Sequence, residues 1–432
     1  MLESVQAIPG ETSVVVLDAN GQPLPLVTQE AADAVALGDP IWCPSGQPPT
    51  PGANGCTFSN NSLAILLSNL SGSNGFTGIA ANGTIWIESS YNSSINDPAA
   101  IGFTLDGSTV TTWANYSLTL QGGWNGIYGS TGIVSNSVFS VPLTIQNWHN
   151  GITVQNINAP SITISDATIQ NSGISVSNVN AEVNLRRINV NRTNGVFGHG
   201  LQVITSGNIN LENINATANS ITQGDGAYLD NTSGTGNVTL TGANNIFSNH
   251  HDFSSGMYIV SNGTVSLSNI TANDSGRGVN ISRAGSVSVT NGTFNGNFFN
   301  GLYVVNTSGN VTLNNINIDG TNGTGTGLYV NTTGAINGNN ITSNNNIQRG
   351  GGPCPIDCGD GAYLIGNNGV TLTGTNTFDN NGWTGLDAHS SNGVITLNYI
   401  TAKNNAQWGA YSTGANDIVL NGTNVFDGNA AG

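Results

Sequence analysis

The chain has 432 residues, and it is unusual in containing 59 glycines while only 7% of its residues are charged. About one quarter of the residues of an ordinary globular domain are charged. Seven basic residues against 23 acidic ones give a net charge of −16, which excludes nucleic acid as a partner because the phosphates could not be neutralised. No apolar run approaches the roughly 20 residues that span a bilayer, so no membrane insertion is expected.

Residues 1–75 differ in composition from the rest of the chain and are predicted to form a capping and assembly region. Residues 12–26 read as a strand and turn, residues 28–37 have helix-forming composition, and residues 61–67 read as a short capped helix that plugs the amino-terminal end. The extended segment is the candidate donor strand for assembly with another copy, through Val14, Val15, Val16 and Leu17.

The four cysteines form two local pairs, Cys43 with Cys56 and Cys354 with Cys358, each enclosing a loop rich in proline and glycine. Local disulfides and a secreted protein at the cell surface are expected, since such bonds persist in oxidising compartments. A zinc site would need both pairs to meet in space, although some 300 residues separate them. No metal and no cofactor are predicted. No secretory signal precedes Glu3, so a leader is expected to be removed or to lie outside this chain.

A phrase of glycine, apolar, variable and apolar residues recurs from residue 126 onward, with successive glycines 22 to 34 residues apart. This is the coil length of a solenoid. The glycines are Gly126, Gly151, Gly173, Gly200, Gly226, Gly256, Gly278, Gly301, Gly327, Gly361, Gly385 and Gly409. The longest step, from Gly327 to Gly361, contains the second cysteine pair, which indicates a disulfide-stapled insertion around residues 350–358.

A second phrase follows in each unit: valine, variable, leucine, and then asparagine or glycine two residues later, as in Leu313 with Asn315, Leu267 with Asn269 and Leu372 with Gly374. Alternation of apolar and polar residues predicts strands, and asparagine or glycine suits a left-handed turn. Copies of each strand should pair in parallel about 4.8 Å apart, in right-handed coils. A third apolar position should stack inward at Phe247, Phe294, Phe378 and Phe426.

These repeats resemble the right-handed parallel β-helix proteins of the pectate-lyase-like superfamily, and especially large bacterial surface proteins rich in asparagine, threonine and glycine. The resemblance covers roughly residues 76–432. It implies an all-β fold, a single-stranded right-handed parallel β-helix with a small amino-terminal cap. It implies no activity, because this superfamily has a similar shape across lyases, glycosidases, adhesins and filament subunits.

The chain offers little for catalysis, and no catalytic residue is predicted. Enzymes on acidic polysaccharides need clustered carboxylates and basic residues. Gly198-His199-Gly200 is similar to an element of polygalacturonase-type glycosidases, but the Asp-Asp pair and the basic tripeptide that accompany it in those enzymes are missing. The other candidates are Asp225, whose motif recurs at Asp360 as a turn requirement, Asp274 with Arg277 and Arg283, and a possible metal group, His250, His251 and Asp252, which reads better as a solvated loop.

Tyrosines recur at the outward position of the glycine phrase, which holds seven of the chain's ten tyrosines. One of them is Tyr128, and the other six form the candidate binding row, called the tyrosine row below: Tyr228, Tyr258, Tyr303, Tyr329, Tyr363 and Tyr411. Two interpretations are open: the rings support one another as an internal ladder, or they form a flat aromatic strip for glycan rings or for a neighbouring fibre.

The last repeat has no helix or charged strand after it to cover its edge, so either the chain is a fragment of a longer solenoid or another subunit covers this edge. In the second case, Ile418, Leu420 and Phe426 are predicted to form the acceptor edge for a further strand. The expected function is a structural extracellular protein that assembles with copies of itself, head to tail, into a filament or cell-surface layer, with adhesion as an added role. The alternative is a β-helix that binds or degrades polysaccharides. Glycans are therefore the second expected class of partner.

Overall fold

A computed structural model describes residues 39–58, 61–72, 78–170, 173–192, 198–218, 224–323, 325–347, 359–414 and 416–431. The candidate donor strand Val14 to Leu17, the predicted helix at 28–37, and the cysteines Cys354 and Cys358 with the insertion around them lie outside the described residues.

The described residues form two large sheets, which we call sheet A and sheet B. Sheet A has 15 strands, which are Ile41–Pro44, Thr57–Phe58, Gly83–Glu88, Leu118–Trp124, Ile152–Gln155, Ile174–Val179, Leu201–Thr205, Ala227–Asp230, Ser255–Val260, Arg277–Arg283, Asn300–Thr307, Leu328–Thr332, Ala362–Gly366, Leu386–Ser390 and Ala410–Gly414. Its strands from Gly83–Glu88 onward are parallel to one another.

Sheet B is parallel throughout. Its strands are Phe103–Asp106, Leu143–Gln146, Ser161–Ser165, Thr168–Gln170, Glu182–Arg192, Ile209–Ala218, Val238–Thr241, Asn245–Ser248, Thr264–Thr271, Ser286–Thr293, Val311–Asp319, Ile336–Asn344, Val370–Thr373, Asn376–Thr377, Ile395–Asn398, Ile400–Thr401 and Ile418–Asn421. A small parallel pair, Ser137–Val138 with Ile157–Asn158, completes the strands. Helices are short: Leu63–Leu70, here called α1, Ser93–Asn96, and a 3-10 turn at Trp113–Asn115.

Each strand pairs with its own copy one coil later, so equivalent side chains stack along the molecule. Leu302 lies opposite Leu328, and Val304 opposite Val330, for example. All four of these side chains are buried. The inward apolar side chains of both sheets form one continuous core that runs from α1 to residue 402. The predicted all-β parallel β-helix is therefore confirmed.

The predicted left-handed corner is confirmed at the position two residues after the leucine of the second phrase. Asn269, Asn315 and Gly374 have φ values of 50°, 54° and 66°. Successive asparagines bond to each other there: Asn315 Nδ2 donates to Asn291 Oδ1 over 3.0 Å. The same conformation at Arg187 and Tyr399 was not expected from residue type, since neither is asparagine or glycine.

The predicted inward phenylalanines are buried at Phe247, Phe294 and Phe378. They do not stack ring on ring, which corrects the expectation from sequence. Phe247 pairs in register with Ala216 of the previous coil, and Phe378 bonds through its N–H to Thr401, directly before buried Ala402. At these two positions a large side chain is therefore next to a small one, which suits close packing.

The amino-terminal end is covered by two antiparallel strands and a helix. Ile41–Pro44 pairs antiparallel with Gly83–Glu88 and carries Thr57–Phe58 on its other edge. The predicted disulfide joins Cys43 to Cys56. α1 begins after Ser62, whose hydroxyl accepts from the Ile65 N–H, and buries Leu63, Leu66 and Leu70 in the core. This matches the predicted plug.

The first predicted anchor, Gly126, does not open a strand, which is a second correction. The sheet A strand of this coil is Leu118–Trp124, and Gly126 lies in the turn after it. Tyr128 therefore leaves the predicted outward row and stacks on Trp124 instead, with ring centroids 6.2 Å apart. A glycine phrase alone could not separate a strand start from a turn that follows the strand.

Candidate functional site

The tyrosine row lies on the outward face of sheet A, in register from coil to coil. Tyr228 is opposite Tyr258, and Tyr303, Tyr329 and Tyr363 follow one another directly. Their neighbours in each strand point inward and are buried, which leaves the tyrosines partly exposed. Apart from Tyr128, the outward tyrosines predicted from sequence lie on the outward face in the structure.

The rings of the tyrosine row stack face to face. Ring centroids are 5.4 Å apart between Tyr228 and Tyr258, with planes 5° from parallel. They are 4.9 Å apart between Tyr303 and Tyr329, and 5.5 Å between Tyr329 and Tyr363. These separations follow the spacing between parallel strands, which is about 4.8 Å. Aromatic pairs of this kind stabilise a fold by about 0.5–1.5 kcal/mol each beyond area burial.

Where a coil lacks a tyrosine, a planar group from a neighbouring position joins the stack. Gln202 holds the tyrosine position before Tyr228, and the His199 ring lies 4.9 Å from the Tyr228 ring. Asn280 holds it between Tyr258 and Tyr303, and the Arg277 guanidinium lies 4.8 Å from the Tyr303 ring centre. A cation over an aromatic face is attractive.

The third substitution is at Asp387, which lies between Tyr363 and Tyr411 in register. The His389 ring leans over Asp387 and lies 5.2 Å from the Tyr363 ring and 6.1 Å from the Tyr411 ring. Its Nδ1 is 2.6 Å from Thr413 Oγ1. Its Nε2 is 2.7 Å from Asp387 Oδ1, so Thr413 and Asp387 hold the ring between the two tyrosines.

The stack decides which chemistry this face can offer. A ring covered on both faces by neighbouring rings presents only its edge and its hydroxyl to solvent. Tyr329 is covered in this way by Tyr303 and Tyr363. The geometry is that of the internal ladder, one of the two interpretations from sequence. Binding of a glycan or another fibre by the tyrosine row stays a prediction.

The exposed rings of this side of the molecule lie next to the row. Trp383 and Trp408 are 41% and 39% exposed, and Trp408 stacks on Tyr411 with centroids 5.3 Å apart. Phe253, Phe298 and Phe299 form a second aromatic group, and Arg277 lies between the rings of Phe299 and Tyr303. Sequence reasoning missed this group because its members precede the anchor glycines at varying distances.

The candidate catalytic residues have structural partners. Asp225 Oδ1 accepts the Ser255 N–H over 2.7 Å, and Asp360 Oδ1 accepts the Thr384 N–H over 2.8 Å. Both carboxylates thus bond to the backbone of the next coil, which agrees with the interpretation of their shared motif as a turn requirement. Asp225 also lies 3.2 Å from Nδ1 of His199, the histidine of the Gly-His-Gly element.

The remaining candidates are not brought together. Within the described residues, Asp274 makes no ion pair with Arg277 or Arg283. His250, His251 and Asp252 lie in a turn with different exposures. His250 is 1% exposed and its Nε2 lies 3.0 Å from the Ala216 carbonyl oxygen, so the expected solvated loop is wrong for this residue. The part of the chain that the structure describes contains no group of three or more metal ligands.

A ladder of polar side chains at one corner was missed by the sequence analysis. Each member accepts the backbone N–H of its predecessor: Asn346 donates to Asn381 Oδ1 over 3.1 Å, Asn381 to Asn405 Oδ1 over 2.9 Å, and Asn405 to Asn429 Oδ1 over 2.9 Å. The signal was an asparagine four residues before Gly301, Gly385 and Gly409. This ladder satisfies buried backbone groups that coils would otherwise leave unpaired.

A buried carboxylate near the amino-terminal end was also missed. Asp39 is 4% exposed, and its Oδ1 accepts the Glu88 N–H over 2.8 Å. Burial raises the pKa of Asp39 to about 8, and burial likewise raises the pKa of Glu88. Forty-nine residues separate the two, so no local motif could reveal them. The bond links the residues directly before the strand Ile41–Pro44 to the strand Gly83–Glu88.

The residues of the predicted acceptor edge are partly exposed, and their role in assembly stays a prediction. Ile418, Leu420 and Phe426 are 44%, 54% and 37% exposed. The strand that carries the first two pairs with Ile395–Asn398 on one side, and no described strand lies on its other side.

Comparison with known proteins gives no relative: no family model, no curated protein and no solved structure matches the chain. Among the described residues, none of the helices has the length and apolar character needed to cross a membrane. The Cys43–Cys56 disulfide is typical of a non-cytoplasmic, oxidising compartment.

Proposed function

We propose that this protein is a structural component of an extracellular filament or cell-surface layer, which forms when copies join head to tail through the acceptor edge. The parallel β-helix suits this role because a solenoid extends by adding coils without changing its core. No catalytic function is proposed, and the proposed partner is a second copy of the chain.

The observation that carries the proposal is the difference in burial between the last coil and the coil before it. Ile395 and Leu397 occupy the positions of Ile418 and Leu420 one coil earlier, and their exposures are 0% and 1% against 44% and 54%. The strand Ile418–Asn421 covers Ile395 and Leu397, whereas no described strand covers Ile418 and Leu420. Covering these side chains with a further coil would recover about 25 cal/mol for each Å² of apolar surface.

The open backbone edge supports the same proposal. An uncovered strand presents a row of unpaired N–H and C=O groups, which favours pairing with another chain. The polar ladder at the corner also reaches this edge at Asn429, which accepts from Asn405. A strand addition satisfies such groups through main-chain hydrogen bonds. The donor strand expected from sequence, Val14 to Leu17, lies outside the described residues.

An extracellular site of action agrees with the composition. The chain has seven lysines and arginines in 432 residues, which leaves few cleavage sites for proteases specific for basic residues. The disulfide at Cys43 and Cys56 forms in oxidising compartments.

Size measurements on the purified chain test the proposal. We expect residues 1–432 to form concentration-dependent polymers by light scattering, and filaments in negative-stain electron micrographs. Leu420→Lys puts a charge on the acceptor edge and should leave only monomers. Ile101→Lys is the matched control, since Ile101 is 95% exposed and lies near the opposite end. A wild-type chain that stays monomeric at high concentration, or a Leu420→Lys variant that polymerises normally, would contradict the proposal.

Polysaccharide binding is the second candidate function, and the exposed Trp383 favours it. Its side chain is 41% exposed and has no aromatic partner among the described residues, and an exposed indole ring is suited to pack against a sugar ring. The adjacent tyrosine row supplies outward hydroxyl groups. Cleavage of a polysaccharide receives no such support, because the candidate carboxylates Asp225 and Asp360 bond to backbone groups.

A further inference from the structure

We propose that the surface around Arg277 binds a small aromatic carboxylate, with the carboxylate on the guanidinium and the aromatic ring on a group of exposed phenylalanines. These are Phe253, Phe298 and Phe299, which we call the phenylalanine group. The strand that Arg277 opens has a paired strand of sheet A on each side. The surface therefore belongs to the interior coils, and the inference does not depend on self-assembly.

Arg277 is a partly buried cation without a carboxylate partner. Among the described residues, no carboxylate lies within ion-pair distance of it, whereas Arg187 Nε lies 2.5 Å from Asp166 Oδ1. Burial lowers the pKa of Arg277, because the charged form loses contact with water and gains no counterion. Burying a charge is costly unless it is paired. An anion that binds beside Arg277 would supply the missing partner.

The Arg277 side chain is held in a defined orientation. Its Nε donates to Asn300 Oδ1 over 3.2 Å. Its guanidinium lies 5.3 Å from the Phe299 ring centre and 4.8 Å from the Tyr303 ring centre. The two terminal nitrogens make no hydrogen bond to a described residue. A guanidinium presents its N–H groups in a fixed fork that matches the two oxygens of a carboxylate, and these contacts leave the terminal edge of that fork available.

The phenylalanine group stands above a turn with small side chains. Phe253 is 79% exposed, and its ring centre lies 6.4 Å and 6.0 Å from those of Phe298 and Phe299. The coil between them carries Ser275 and Gly276, whose carbonyl oxygens accept the Phe298 and Phe299 N–H groups over 2.7 Å. Because serine and glycine are small, the rings from both flanking coils meet above them. Exposed apolar surface of this kind is typical of a binding site.

The cation and the phenylalanine group lie side by side, which selects a ligand with an anionic head and an apolar body. Arg277 directly follows Gly276, and its guanidinium contacts Phe299. A carboxylate paired with a guanidinium lies in the same plane as it, and an aromatic carboxylate continues that plane as a flat ring. Contacts between aromatic rings contribute about 0.5–1.5 kcal/mol each. A single carboxylate also suits a chain with a net charge of −16, which repels polyanions.

The tyrosine row is interrupted on the same surface, at Asn280, and the interruption is incompletely filled. His389 contacts the tyrosines on both sides of its coil. Arg277 contacts the ring of Tyr303, but no described ring or guanidinium covers the face of Tyr258 on the side of Asn280. Asn280 is 7% exposed, and its Oδ1 accepts no hydrogen bond from a described residue. Rotation of this amide places Nδ2 there instead, as a donor to a carboxylate.

Binding of 2-naphthoate to the wild-type chain tests the inference without any substitution. We expect saturable binding in titrations followed by the fluorescence anisotropy of 2-naphthoate. The neutral amide of the same ring, 2-naphthamide, should bind about tenfold more weakly, because hydrogen bonds between charged groups are stronger than those between neutral ones. Glucuronate, which carries its carboxylate on a puckered and hydroxylated ring, should not displace 2-naphthoate at equal concentration.

Substitutions then locate the site. We expect Arg277→Gln to weaken 2-naphthoate binding by about tenfold, and Phe253→Ala to weaken it by about threefold to tenfold. Arg283→Gln is the matched control, since it makes the same change in net charge at the exposed other end of the strand Arg277–Arg283. Its affinity should stay within about twofold of wild type, because solvent screens an exposed charge. Unchanged circular dichroism in each variant controls for folding.

Four results would overturn the inference. Absence of saturable binding would remove the site. Equal affinity for 2-naphthoate and 2-naphthamide would show that the cation takes no part, and equal losses in Arg277→Gln and Arg283→Gln would assign the effect to net charge. Displacement by an equal concentration of glucuronate would show that the ligand need not be aromatic. Each result leaves the light-scattering test of self-assembly unaffected, so the two proposals can fail separately.

Discussion

Two coils of sheet B have the same sequence phrase and different surroundings. In the interior coil, Val311 and Leu313 precede the left-handed Asn315. In the last coil, Ile418 and Leu420 precede the left-handed Gly422. Val311 and Leu313 are both 0% exposed, whereas Ile418 and Leu420 are 44% and 54% exposed. The backbone arrangement is the same, and only the neighbour on one side differs.

The comparison shows that a coil of this protein does not bury its own apolar side chains. The coils on either side complete its core. In solenoid proteins each repeat has little stability of its own, and the interfaces between neighbouring repeats supply most of the stability. Any surface that resembles an interior coil but lacks a neighbour is therefore an incomplete interface. The last coil is such a surface.

The largest expected difference between the two coils is the loss of unfolding free energy when the corresponding leucine is truncated in each. We expect Leu313→Ala to lower the free energy of unfolding by about 2–5 kcal/mol, because it leaves a cavity in a core closed on both sides. Leu420→Ala in the monomeric protein should cost well under half of that, since its side chain is half-exposed. Urea titrations followed by circular dichroism, at concentrations below assembly, measure both.

Equal losses in the two variants would mean that the last coil is covered in solution. If the Leu420→Ala loss grew with protein concentration while the Leu313→Ala loss stayed constant, the covering group would be another copy.

The coil repeat was predictable from sequence because its cause is local. From Ile174–Val179 onward, a glycine lies within one residue of the start of each sheet A strand. A Cβ atom there would collide with a neighbouring coil: at Gly200 it would lie 2.7 Å from the Gly226 carbonyl oxygen. Left-handed corners were predictable for a similar reason, since asparagine and glycine tolerate them. Gly126 was misassigned because a turn glycine and a strand-opening glycine look alike when only the next three residues are compared.

The planar groups that join the ring stack where a coil has no tyrosine were not predictable, because they lie at different sequence distances from the tyrosine position. His199 and Arg277 precede the positions they serve, Gln202 and Asn280, by three residues, while His389 follows Asp387 by two. A periodic pattern detects residues that return to the same position and misses those that reach a common space from different ones. The buried Asp39 near Glu88 was missed for the same reason.

The buried His250 of an interior coil should make the free energy of unfolding depend on pH. His250 occupies the corner where later coils have asparagine, and its N–H donates to Ser275 Oγ as those asparagines donate to their successors. Burial lowers the pKa of His250 from 6.5 to about 4, although the contact with the Ala216 carbonyl oxygen raises it. Between these values the unfolded chain binds a proton that the folded chain does not, so stability should decrease as pH falls from 6.5 to 4, by roughly 3 kcal/mol.

The measurement is the difference in unfolding free energy between wild type and His250→Gln at pH 7, 5.5 and 4. Because the carboxylates titrate in both proteins, their contribution to the pH dependence cancels in this difference. His251→Gln is the control one residue away and should keep the wild-type pH dependence. A wild-type curve parallel to that of His250→Gln would show that His250 is protonated without cost and that the interior corner is accessible to water.

The ring stack provides the smallest expected difference between interior and edge. Tyr329 has a tyrosine ring on each face, whereas Tyr411, in the last sheet A strand, has no further coil beyond it and is 41% exposed. We expect Tyr329→Ser to cost about 1–3 kcal/mol, from two stacking contacts, and Tyr411→Ser to cost less, because its stacked neighbour is Trp408, its contact with His389 is edge-on, and its ring is 41% exposed. Thermal unfolding of the monomer, scored against Thr342→Ser on the outward face of sheet B, measures the stacking contribution.

Binding of the same variants to neutral and acidic glycans separates the two interpretations of the tyrosine row. If Tyr329→Ser retains its stability but loses binding to a glycan that Trp383→Ala also fails to bind, the rings serve recognition. If stability falls and no glycan binds the wild-type chain, the stack is part of the framework that keeps the coils in register, and the edge at Tyr411 is where that framework is left incomplete.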